Sequence, residues 1–142
     1  MKNLIKRDPE TLLPSSLRYA KEYLSALCRM QNEIDAVQES KELTIIHRAL
    51  WKALIVEVGC LFDTYSTKDT ISFKKLPHLK NQIDKYHGEA VVRKIIETRN
   101  TFSAHFARDA KIIILAPEIC DSNLAEILDE MSHLSVTNET VE

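Results

Sequence analysis

The chain has 142 residues, 44% hydrophobic and 28% charged, with a net charge of −2, the composition of a folded domain rather than a disordered one. Only 2 Gly and 4 Pro are present, about 4% of the chain against roughly 12% in average usage. That excludes turn-rich sandwiches, barrels and Gly-rich phosphate loops, and favours a few long helices. The charge is uneven: Pro117–Glu142 holds seven acids and no Lys or Arg, while residues 1–116 carry 19 bases and 14 acids, a net of +5. A basic body with an acidic end permits contact with a polyanion without demanding it.

In chain order, Pro14-Ser15-Ser16 opens a first helix that the spacing carries to about Glu39, with Leu17, Tyr19/Ala20, Leu24, Leu27/Cys28, Ile34 and Val37 as its apolar positions and Ser15 or Ser16 as N-cap. A second helix is predicted over Lys41–Tyr65. Leu43, Ile46, Leu50, Leu54, Leu61 and Tyr65 mark one face and Ile45, Ala49, Val56 and Cys60 another, the pattern of a central helix packed on both sides. Thr67–Thr70 reads as a loop. Ser72 then caps a basic third helix to about His87, its start kinked or delayed by Pro77 and its end set by Gly88. Glu89–Ala107 forms a fourth, with Val91, Val92, Ile95, Ile96, Phe102 and Phe106 as its stripe. Lys111–Ala116 is a β-branched run read as a short extended piece stopped by Pro117. Asp121 or Ser122 caps a short last helix to about His133, and Ser135–Glu142 reads as a frayed acidic tail. The expected fold class is all-α: an antiparallel four-helix bundle with an additional short C-terminal helix, one domain over residues 1–134 and a flexible tail over 135–142.

Candidate chemistry is sparse. Cys28, Cys60 and Cys120 are widely spaced without a CxxC, and His47, His78, His87, His105 and His133 show no HxxxH or HExxH, so no metal, cofactor or disulfide framework is expected. Met1–Glu10 is too charged for a signal-peptide core, and Ala53–Phe62 is too short to span a bilayer. A cytoplasmic protein without a membrane partner is the expectation. Glu57 and Asp63 interrupt apolar stretches and read as groups that solvate a helix edge or close a buried hydrogen bond.

One segment concentrates chemistry: Arg99, Asn100, His105, Arg108 and Asp109. Arg99 falls on the apolar stripe, where a buried guanidinium needs a partner. His105 lies six residues on, about 600° of rotation and so about 120° from Arg99 on a regular helix. Asp109 at i+4 from His105, or Arg108 at i+3, could orient the imidazole. From spacing alone, an Arg paired to a carboxylate and a His at a helix end is the favoured reading. Lys74, Lys75, Lys80 and Lys85, flanked by His78 and His87, form either an RNA-contacting surface or a solvated face.

Arg99-Asn100 followed by His105 resembles the R-x(4–6)-H pattern of HEPN domains. The resemblance extends upstream. Trp51–Asp63, ending Leu-Phe-Asp, then the Ser72-capped Ile71–Leu76 and the R-N-x-x-x-A-H of Arg99–His105, is similar to the U-type abortive-infection group, over roughly residues 40–110. That resemblance implies a helical bundle that dimerises and a metal-independent endoribonuclease, a toxin or antiphage effector, with RNA as substrate and an antitoxin protein as a possible partner. Arg99 would stabilise transition-state charge, His105 act as general acid/base and Asn100 position the phosphate or fix the arginine. Lys74, Lys75, Lys80 and Arg108 would touch RNA, and Asp109 would orient His105. Ala107 stands where members paired with a nucleotidyltransferase antitoxin often carry a modifiable Tyr, so that form of control is not expected. A catalytically inactive nucleotide- or partner-binding module, or a plain helical interaction protein, is the alternative.

Overall fold

The computed structural model describes residues 9–63, 71–103 and 113–141. Leu13, Leu17, Ala20, Leu24 and Leu27 recur every three or four residues and are all buried, which makes one face of α1, Pro9–Asn32. This helix begins before the Pro14-Ser15-Ser16 start read from the sequence. A helical proline costs about 3 kcal/mol, and burying Leu13 one turn before Leu17 contributes about 1.5–3 kcal/mol toward it. Ser16 is therefore no N-cap: it is buried inside α1 and donates its hydroxyl to the Glu57 carboxylate. The predicted continuation to Glu39 is interrupted at Glu33, whose backbone leaves the helical region, and α2 spans Ile34–Glu39.

Ser40 caps α3, Lys41–Leu61, by accepting from the Leu43 amide at 3.2 Å. Packing against α1 and α5 (Ala90–Ser103) buries Leu54, Ile55, Val58 and Leu61. Only one of the two predicted apolar faces is covered. Ile45 is 67% exposed and Val56 39%, Ala49 is exposed, and Ile46, expected on the core face, is 47% exposed. The helix ends at Leu61 rather than Tyr65; Tyr65 and the predicted Thr67–Thr70 loop lie outside the described residues.

Pro77 delays the third predicted helix. Two single turns of 3₁₀ helix, Phe73–Lys75 and Pro77–Leu79, precede α4, Lys80–His87. Gly88 ends α4 in a right-handed conformation, φ −80°, so left-handed freedom is not what it supplies. A Cβ there would stand 3.2 Å from the Lys85 carbonyl. After α5, Ile114 is buried between two helices: its amide donates to Thr98 Oγ1 at 2.9 Å and its carbonyl accepts from Trp51 Nε1 at 3.0 Å. These side-chain partners satisfy the extended piece without a strand neighbour. Pro117, read as a stop, instead sits in the first turn of α6, Ala116–Cys120, where its missing N–H costs nothing. Finally, α7 runs Leu124–Val141, absorbing most of the predicted tail. Leu124, Ile127, Leu128 and Met131 are buried, and no Gly or Pro follows Pro117 to stop the helix. Among the described residues the chain is all helical, with seven α-helices and no strand.

Candidate functional site

Phe62 is fully buried and meets Phe73 and Tyr86 edge to face, with ring centroids 5.1 and 6.2 Å apart. That anchor fixes the backbone where α3 stops and leaves the next residue, Asp63, half-buried at the helix end. Two groups then take the freed carbonyls. Ser72 Oγ lies 2.7 Å from the Asp63 carbonyl and 3.2 Å from that of Leu61, and accepts from the Lys74 amide at 3.2 Å. His87 Nε2 donates to the Phe62 carbonyl at 2.5 Å, so the ring proton sits on Nε2. A carbonyl at a helix end needs such a donor when water is excluded.

The Asp63 side chain receives Arg99. Its Oδ2 lies 2.9 Å from Arg99 Nη1, and the two side chains are 22% and 14% exposed. Arg99 also donates to Asn100 Oδ1, from Nη2 at 2.7 Å and Nε at 3.3 Å. Guanidinium nitrogens only donate, so the facing Asn100 atom is its oxygen. The residue as a whole is exposed, and its amide nitrogen carries two donors. Asn100 Oδ1 thus faces the guanidinium of its neighbour.

Gly59 makes this approach possible. A Cβ at Gly59 would stand 2.8 Å from Arg99 Cδ and 3.1 Å from its Cβ, so the arginine stem crosses α3 over bare backbone. Sequence reasoning gave Gly59 no role. Its signal was present: a glycine inside a helix costs about 1 kcal/mol against alanine and marks a close approach. Cys60 completes the contact, its sulfur 3.9 Å from Arg99 Nη1.

Of the candidate residues, the structure brings Arg99 and Asn100 together and adds Asp63 and Ser72 to them; His105, Arg108 and Asp109 lie outside the described residues. Lys74 and Lys75 follow Ser72 on the 3₁₀ turn tied to Asp63. Lys80 stands farther along, exposed and paired with Asp84 at 3.7 Å. His87 serves the α3 terminus and is half-buried; exposed His78 lies 3.4 Å from the Leu134 carbonyl. His47 meets Gln31 Oε1 at 3.0 Å, joining α3 to α1. Glu57, half-buried, takes the Ser16 hydroxyl in a partly buried bond between α3 and α1.

Among the described residues no cluster of His, Cys, Asp and Glu could hold a metal ion, and no helix is long and apolar enough to cross a membrane. Burial, and then the neighbouring Cys28 thiol, push the Cys120 thiol up to about 12, so it stays protonated and unreactive near neutrality. A half-buried, clamped guanidinium beside exposed Asn100 offers positive charge and donors to an anion that can reach them. No family model, curated protein or solved structure matches the chain.

Proposed function

We propose that the chain is a metal-independent endoribonuclease of the HEPN type, acting as a homodimer, with its helices forming the four-helix bundle of that family. The observation that carries this reading is convergence. Leu61-Phe62-Asp63, Ser72 and Arg99-Asn100 are the three separate segments in which the sequence resembles the abortive-infection group. They meet through the Ser72–Asp63 and Asp63–Arg99 contacts.

In this reading the 2′-hydroxyl of RNA attacks its own phosphorus and the 5′-oxygen leaves, giving a cyclic phosphate. His105 removes or returns the proton and Arg99 stabilises charge on the phosphorane. The Asn100 amide nitrogen holds a phosphate oxygen. Asp63 keeps the guanidinium in place and charge-balanced until RNA arrives, and Lys74 and Lys75 flank the approach. One chain supplies one such set and a second copy would supply another. The row Ile46, Ala49, Ala53, Val56 and Cys60 on α3 follows three-to-four spacing and ends beside Asp63; Ile46, Ala49 and Val56 are exposed and Ala53 and Cys60 half-buried, a surface suited to a second helix. A toxin role held by an antitoxin, and action against phage, follow from the same resemblance.

A second reading has its own support. The Arg99–Asp63 pair is the structural contact expected if Arg99 only fastens α5 to α3, in a silent module or a helical interaction protein. The experiment that separates them is incubation of the protein with single-stranded RNA in EDTA, beside Arg99→Ala and His105→Ala. The ribonuclease reading expects cleavage by the wild type and a loss of about 10²–10³-fold or more in each variant. Cleavage surviving either substitution, or none by a dimeric wild type, overturns it. A strictly monomeric wild type removes the composite site.

A further inference from the structure

Between the Arg99 site and the far end of α3 lies a row of cations and aromatic rings that no catalytic role explains. Arg48, Lys52 and Gly59 fall within about 40° of one another on the α3 wheel, and Arg48 is about 16 Å from Gly59 along the axis. Arg99 crosses the helix at Gly59, so Arg48, Lys52 and Arg99 form one line, with Arg48 and Lys52 exposed. Phe102, one turn beyond Arg99 on α5, lies under Lys52 (nitrogen 5.6 Å from the ring centroid) and meets Trp51 edge to face at 5.4 Å. The indole is held by its bond to the Ile114 carbonyl and lines an open groove of about 450 Å³ with Arg48, His47 and the amides of Gln31 and Gln38. No described residue lining that groove is acidic.

We infer that this line is a binding track for unpaired RNA, leading from the groove at Trp51 to Arg99. The inference rests on the ribonuclease reading for its substrate class. Cations at intervals along one helix face meet a backbone of phosphates, and the Trp51 indole, held on Phe102 and lining the groove, offers a stacking surface that tolerates any base. Gln38 supplies a donor and an acceptor for a base edge, and Gln31, whose Oε1 meets His47, supplies its amide donors. A duplex hides its base faces by stacking them internally, so the track selects single strands. The lysines at Lys74, Lys75 and Lys80 are then not the principal RNA surface.

Trp51 is the only tryptophan in the chain, so its fluorescence reports on the groove alone. The probe is a short unpaired oligonucleotide with 2′-O-methyl riboses, which lacks the attacking hydroxyl and stays intact. The wild type is expected to show quenching on titration and weaker binding of the same sequence as a duplex. In Arg48→Ala/Lys52→Ala, two surface changes checked by circular dichroism, affinity should fall about tenfold and the salt slope by about 1.4, from two lost phosphate contacts. Absence of quenching, or unchanged affinity and slope in the double variant, overturns the track. The two readings fail separately. Cleavage of ordinary RNA with unchanged KM in the double variant leaves the ribonuclease and removes the track. Track-dependent quenching in a protein that cleaves nothing keeps the track and removes the ribonuclease.

Discussion

Arg99 and Lys80 are each paired with an aspartate, Asp63 at 2.9 Å and Asp84 at 3.7 Å, yet the pairs occupy opposite surroundings. The first has 14% and 22% of its side chains exposed, the second 80% and 65%. Water screens the second and leaves it little energetic weight. In the first, both charges have given up most of their hydration, so each depends on the other. The two ion pairs therefore differ in kind: Arg99 is a held, structured cation and Lys80 a solvated one.

Removing Asp63 tests the contrast most severely. Asp63→Ala should cost about 2–4 kcal/mol in urea unfolding, since it removes the carboxylate that balances a largely desolvated guanidinium; a cost below that of a surface pair would break the distinction. Gly59→Ala sharpens it. The gain of about 1 kcal/mol in helix propensity offsets the displacement of the arginine stem, so stability should shift by less than about 1 kcal/mol. The coupling between Asp63 and Arg99, measured by a double-mutant cycle in that background, should fall. Cys120 provides an intermediate, partly buried case. Its thiol is raised from 9.0 to about 12 in the folded chain, so the protonated form is favoured by folding. Its contribution is complete below pH 9 and is lost as pH rises toward about 12. Alkaline unfolding should thus be less steep in Cys120→Ala. The smallest effect is expected from Lys80→Ala, at most about 0.5 kcal/mol, with RNA affinity nearly unchanged if the α3 track carries binding.

Much of this was legible from local pattern. The stripe of α1, the cap at Ser72 and the delay at Pro77 show how far spacing and proline chemistry reach. The placement of Arg99 on an apolar stripe already required a partner. Which partner was not legible, because Asp63 lies 36 positions earlier and reading it as a helix-edge acid was equally consistent with its neighbours. Gly59 was visible as a helical glycine without a reason; the reason is another helix's side chain. Ser16 looked like a cap because caps and buried hydroxyls share the same residue types, and only Glu57 across the helix pair distinguishes them. Pro117 looked like a stop because a proline ends one helix and begins another with equal ease.

By itself, then, the sequence determined an all-helical chain, since Gly and Pro are too few for many turns and apolar residues recur at helical spacing. It also singled out Arg99 and Asn100 as groups needing an explanation. Only the tertiary structure decided that α3 covers one apolar face and leaves the other open, because burial depends on which helices lie beside it. The same holds for the meeting of Asp63, Ser72 and Arg99, whose contacts close loops of chain that local propensity does not register.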